Sequence, residues 1–103
     1  MKRFVLTTRA KQDLIDIWDY IADDSIEAAD RVLDALETTM VRLAKNPGIG
    51  HWREELADQR HRFFAVYSYL IVYRPETRPL QVIRVLHAAR DVQSILGVPP
   101  DEP

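Results

Sequence analysis

Two stretches in the first half of the chain carry apolar residues three and four positions apart, which is the spacing of one helix face. The first runs from Ala10 to Ile21 and the second from Ala29 to Leu43. Thr7 and Thr8 precede the first stretch and Ser25 precedes the second, and these residue types cap helices by accepting a backbone N–H bond. Because only a few residues separate the stretches, the pattern predicts an antiparallel helical hairpin.

Short runs rich in β-branched and aromatic residues predict four strands. These runs are Lys2 to Leu6, Arg60 to Val66, Tyr69 to Arg74 and Leu80 to Leu86. The last run is apolar on both side-chain parities, which is typical of a central strand covered on both faces. Tight turns at Tyr67-Ser68 and Pro75 to Pro79 make the last three strands antiparallel neighbours. The polar, glycine-punctuated segment from Gly48 to Gln59 is predicted to be irregular.

The order of these elements predicts an α+β fold. An N-terminal strand and an antiparallel helical hairpin are expected, with the hairpin packed on one face of a small, mainly antiparallel sheet. A short C-terminal helix is expected from Val92 to Leu96, so residues 1–97 form one domain. The tail, residues 98–103, holds three prolines and two acids and is predicted to be disordered. The second face of the sheet must be covered by the C-terminal segment or by a partner.

Composition excludes several functional classes. The chain has 103 residues, no cysteine and a formal net charge of −2. No window approaches the roughly 18 apolar residues of a membrane span, and no signal-peptide core is present, so we expect a cytoplasmic protein. The three glycines lack a phosphate-loop spacing and the three histidines lack a ligand spacing, so we expect no cofactor and no metal.

Charge is divided unevenly along the chain. Nine acids and four bases lie between Ala10 and Asn46, whereas the segment from Arg60 to Arg90 has six arginines and one acid. These arginines form either a solvated face or a surface for a polyanion or an acidic partner segment. Trp52 is either an exposed protein-contact anchor or a side chain tucked over the end of the helical hairpin. The candidates for partner binding are Arg60, Arg62, Arg74, Arg84, Arg90 and Trp52.

The side chains of the predicted sheet leave catalysis and binding both open. Metal-independent RNA cleavage would use a histidine or a tyrosine to move protons and arginines to stabilise the phosphate. The catalytic set would then be His87, Arg84 and Arg90. A protein-binding surface would need no catalytic residue. Alternatively, Arg84 has a structural function and forms a buried ion pair with a helix acid such as Asp13 or Asp16. Asp13, Asp16 and Asp19 lie off the apolar face of the first helix and are predicted to be solvated.

Several motifs follow one another in order along the chain. They are Leu6-Thr7, Asp13-Leu14, Tyr20-Ile21-Ala22, Pro47-x-x-Gly50, Arg53-x-Glu55-Leu56, Tyr69-Leu-Ile-Val-Tyr73-Arg74 and Arg84-Val-Leu-His87-Ala-Ala-Arg90-Asp91. Together with the order of the elements, they resemble the ParE branch of the RelE/ParE toxins. The resemblance covers nearly the whole chain.

The resemblance implies a type II toxin–antitoxin toxin that causes growth arrest and stabilises a plasmid or chromosome. It implies a cognate antitoxin that forms a hetero-oligomer with the toxin, and DNA gyrase as the inhibited target. It implies no membrane partner and no sequence-specific DNA binding by the toxin alone. The alternatives are a ribosome-dependent mRNA endonuclease of the RelE type and a degenerate toxin that only binds its antitoxin. No lysine follows Lys45 and no tyrosine follows Tyr73, which disfavours the RelE-type nuclease.

Overall fold

The computed structural model describes residues 3–53 and 58–89. In this part of the chain, two helices form the predicted hairpin, α1 (Thr8–Ala22) and α2 (Ile26–Lys45). A single 3-10 turn, Pro47–Ile49, follows α2. The strands of the same part are β1 (Phe4–Leu6), β2 (His51–Arg53), β3 (Asp58–Val66), β4 (Tyr69–Arg74) and β5 (Leu80–His87). The α+β class is therefore confirmed.

Both helices begin at the predicted capping residues. The Thr7 hydroxyl accepts a hydrogen bond from the Ala10 backbone N–H at 3.1 Å, and the Ser25 hydroxyl accepts one from Ala28 at 3.1 Å. Each bond satisfies one of the backbone donors that the first turn of a helix leaves unpaired. Lys45 lies in the last turn of α2, where a cation complements the negative end of the helix dipole.

The strands form one mixed sheet in the order β1-β5-β4-β3-β2. β1 runs parallel to β5, and the other pairs are antiparallel. The prediction that residues 48–59 are irregular is wrong, because β2 lies within this segment and β3 begins at Asp58. β2 is an edge strand whose hydrogen bonds come from β3. Its short sequence has no strand pattern of its own, so the sequence did not predict it.

Apolar side chains cluster on both faces of the sheet. The main core lies between the helices and one face, and includes Leu36, Met40 and Ile71. A second cluster, whose buried members all come from β3, β4 and β5, consists of Phe63, Leu70, Val72 and Leu86. The predicted C-terminal helix and the tail, residues 98–103, lie outside the described residues. None of the described helices combines the length and apolar character that a membrane crossing requires.

Candidate partner-binding site

Arg84 is bound to the first helix. Its Nε donates to Oδ2 of Asp13 at 2.7 Å, and its Nη2 donates to Oδ1 at 2.8 Å. The two side chains are only 11% and 12% exposed, so the pair lies in a medium that screens charge weakly. The ion pair with Asp13 that the sequence left open is therefore present. The prediction that Asp13 lies on a solvated helix face is wrong.

Thr7 and Asp13 also form hydrogen bonds with the part of β5 that β1 leaves unpaired. β1 pairs with this strand only as far as Val82. Beyond that point, the Thr7 hydroxyl donates to the Ile83 carbonyl at 2.7 Å, and Oδ2 of Asp13 accepts from the Val85 N–H at 2.9 Å. The start of α1 thus occupies an edge that would otherwise expose unpaired backbone groups.

Tyr73 ties the sheet to the loop that follows α2. Its side chain is fully buried, its hydroxyl donates to the Pro47 carbonyl at 2.6 Å, and it accepts from the Gly50 N–H at 2.9 Å. A Cβ atom added at Gly50 would lie 2.3 Å from this hydroxyl oxygen, so the approach requires glycine. Sequence reasoning assigned no role to this contact, although both ends of it lie in the motifs that carried the resemblance.

Arg62 holds the same loop from the neighbouring strand. Its Nη1 donates to the carbonyl of Gly50 at 2.7 Å and to that of Gly48 at 3.3 Å. Its guanidinium carbon lies 4.3 Å from the centroid of the Trp52 ring, a cation–π contact. Trp52 is 45% exposed and lies on β2, so it stacks on Arg62 and keeps an accessible surface. Its function as a partner-contact anchor stays a prediction.

Of the other candidate arginines, Arg60 and Arg62 lie on β3 and Arg74 lies on β4. Arg62 is the cross-strand neighbour of Tyr73 and shares its face, whereas Arg74, the next residue along β4, points to the opposite face. Arg74 also forms an exposed ion pair with Glu76 at 3.0 Å. Arg60 is exposed on β3, and Arg90 lies outside the described residues. Arg62 and Arg74 therefore lie on opposite faces of the sheet, and partner binding by each candidate arginine stays a prediction.

His87 ends β5 in a packed position. It is the cross-strand neighbour of Tyr69, and the two rings meet edge to face with centroids 5.7 Å apart. Of the other members of the nuclease set, Arg84 is held by Asp13 and Arg90 is outside the described residues. Within residues 3–53 and 58–89, no group of three or more acidic or histidine side chains could hold a metal ion.

Burial makes the stability contributed by Tyr73 dependent on pH. Desolvation raises the pKa of its phenol above the ordinary 10.0, while the Gly50 N–H and the charge of Arg62 oppose the rise. Since the folded protein holds this proton more tightly than the unfolded chain does, the stabilisation is complete below pH 10.0. It is lost as the pH rises through the raised folded pKa.

We therefore expect the free energy of unfolding to fall less steeply above pH 10.0 in Tyr73→Phe than in the wild type. At neutral pH the variant should be less stable by about 1–3 kcal/mol, because a buried N–H and a buried carbonyl lose their partner. Urea denaturation between neutral and alkaline pH measures both effects. Equal slopes above pH 10.0 in the two proteins would contradict the assignment.

Comparison with known proteins identifies relatives along nearly the whole chain. The family described as "ParE toxin of type II toxin-antitoxin system, parDE" matches residues 4–92. Toxin ParE1 of Caulobacter vibrioides is 36% identical over 98 residues, covering 94% of this chain and 100% of that protein. Toxin ParE1 of Mycobacterium tuberculosis H37Rv is 32% identical over 92 residues, covering 87% and 93%. A structure titled "Chromosomal ParDE TA system from P. aeruginosa" superposes with a TM-score of 0.68 at 21% identity, covering 84% of this chain and 96% of that one.

Proposed function

Because this chain belongs to the ParE toxin family of type II toxin–antitoxin systems, we propose that it arrests growth by binding and inhibiting DNA gyrase in the cytoplasm. As a toxin of such a system, it has an antitoxin as its partner. The single observation that carries the proposal is the family match over residues 4–92, which spans both helices and every described strand. Gyrase is the target that membership of this family implies.

The geometry of the polar side chains supports inhibition by binding over catalysis. A general base must lie within reach of its substrate and titrate near the working pH. The Tyr73 hydroxyl is instead bonded on both sides, and its raised pKa keeps it protonated at neutral pH. The Arg84 guanidinium would have to leave Asp13 before it could meet a phosphate.

We infer that the antitoxin neutralises the toxin with an acidic and apolar segment that folds as it binds. Arg60, Arg62 and Arg74 would supply charge-assisted hydrogen bonds to its acids, and the exposed part of Trp52 would supply apolar contact. An apolar cavity of about 140 Å³ between the helices and β1 offers a further place for an apolar side chain. The resulting complex is a hetero-oligomer. Arg84 suits this function less, because Asp13 already occupies its guanidinium.

A pair of parallel assays tests the proposed target. Purified toxin is added to gyrase in plasmid supercoiling and cleavage assays, and to translating ribosomes in an mRNA cleavage assay, with and without the antitoxin. We expect gyrase to be inhibited, the message to stay intact, and the antitoxin to restore supercoiling. A cut message with unaffected gyrase would overturn the proposal, favour the RelE-type nuclease and make His87 the first residue to replace. Activity in neither assay would favour a degenerate toxin.

A further inference from the structure

The hairpin between β3 and β4 contains a backbone conformation that its sequence does not favour. Two residues, Tyr67 and Ser68, join the strands, and Tyr67 has a φ of 55°. A positive φ at the first loop residue of a two-residue hairpin is normally supplied by glycine, asparagine or aspartate. For a bulky side chain this conformation is an outlier that costs on the order of 1–3 kcal/mol.

Tyr67 belongs to neither hydrophobic cluster of the described residues. Its side chain is 66% exposed, so burial does not offset the backbone strain. The loop is nevertheless held firmly, because the Ser68 carbonyl accepts a hydrogen bond from the Ala88 N–H at 2.9 Å. Tyr69, the first residue of β4 after the loop, packs edge to face against His87. The fold therefore presents one large aromatic side chain on a tip that is hydrogen-bonded to the residue after β5.

The surroundings of this tip match a protein partner better than a nucleic acid. Residues 65–69 and 87–89 include no Asp, Glu, Lys or Arg, although such residues make up 29% of the chain. A nucleic-acid surface requires cations for the phosphates, and none of these eight residues is a lysine or an arginine. Exposed tyrosine on a rigid support is a common anchor of protein interfaces, since ordering it costs little entropy.

The tip also lies apart from Arg62 and Arg74, two of the arginines proposed for the antitoxin. Arg62 precedes the end of β3 by four residues, and Arg74 ends β4 five residues after it begins. At about 3.3 Å per residue, these side chains lie roughly 13–17 Å along the strands from the tip. An acidic antitoxin segment bound at the arginines and a neutral partner bound at the tip would occupy different surfaces.

We propose that Tyr67 anchors the toxin to its target protein by inserting its ring into an uncharged pocket of that protein. This inference rests on the proposed function in taking gyrase as the target. The strain at Tyr67 is then retained because glycine, which fits the backbone better, would remove the ring that binds. Stability and target binding are therefore expected to change in opposite directions when this residue is replaced.

The test compares Tyr67→Asn with Tyr20→Asn, which makes the same change at an exposed tyrosine on α1 that has ordinary helical geometry. Asparagine tolerates a positive φ, so Tyr67→Asn should melt at or above the wild-type temperature. We expect its inhibition of gyrase supercoiling to weaken by about tenfold or more, while its affinity for the antitoxin stays within about twofold. Tyr20→Asn should inhibit like the wild type, and Tyr67→Phe should retain most of the inhibition.

Other results of these assays would overturn the assignment of Tyr67 as the anchor or separate it from the choice of target. Inhibition by Tyr67→Asn within about twofold of the wild type would overturn it. An equal loss in Tyr20→Asn would also overturn it, because the effect would then not belong to the tip. If the wild type does not inhibit gyrase, the proposed function fails separately, and growth arrest on expression of the toxin becomes the readout. Arrest lost only in Tyr67→Asn would support the anchor with another target, and arrest retained would overturn it.

Discussion

Replacing Arg84 by alanine is expected to lower the free energy of unfolding by about 3 kcal/mol, because it leaves the carboxylate of Asp13, which is only 12% exposed, without its cation. The pair joins α1 to β5 through two charge-assisted bonds of 2.7 and 2.8 Å. Thermal and urea denaturation measure the loss. In a domain of about 100 residues, each kcal/mol corresponds to a fall of about 4–8 °C in the melting temperature.

Three further variants separate a structural function of Arg84 from a partner contact. Asp13→Ala removes the same pair from the helix side and should destabilise comparably. The double variant should lose less than the sum of the two single losses, because the two residues interact directly. Arg74→Ala breaks only an exposed pair and should change the melting temperature little. If Arg84→Ala melts like the wild type yet fails to bind the antitoxin, Arg84 is a contact residue and the structural assignment is wrong.

Replacing Gly50 by alanine is expected to destabilise the fold by about 3 kcal/mol, through overpacking and the loss of buried hydrogen bonds. The new methyl group would lie 2.3 Å from the Tyr73 hydroxyl oxygen and 2.9 Å from two ring carbons. The ring is fully buried and hydrogen-bonded on both sides, so it cannot move aside without breaking those contacts. The φ of Gly50 is −76°, which alanine adopts readily, so the effect is steric.

Gly48→Ala is the matched control in the same loop. Nothing lies within 4 Å of a Cβ atom added at that position, so this variant should be as stable as the wild type. A fall of more than about 10 °C in the melting temperature is expected for Gly50→Ala alone. Equal melting temperatures for the two variants would show that the loop relaxes around the methyl group. In that case the contact with Tyr73 does not hold the loop on the sheet.

The helices, their capping residues and four of the five described strands could be predicted because their signals are local. The apolar spacing of α2 and the capping hydroxyl of Ser25 involve residues within a few positions of one another. The motifs from Leu6 to Asp91, together with the order of the elements, likewise indicated the family, which the comparisons confirm. The candidate arginines could be named from composition, since their number and type are visible without coordinates.

The surroundings of those side chains were decided by the tertiary structure. Asp13 and Arg84 are 71 residues apart, and their meeting depends on how the start of α1 closes the edge of β5. The strand β2 exists because β3 supplies its hydrogen bonds, and Tyr67 takes a positive φ because the paired strands leave only two residues for the turn. The sequence by itself determined the elements through interactions between near neighbours. Which face, edge or tip each functional side chain occupies followed only from long-range pairing and burial, which no local pattern encodes.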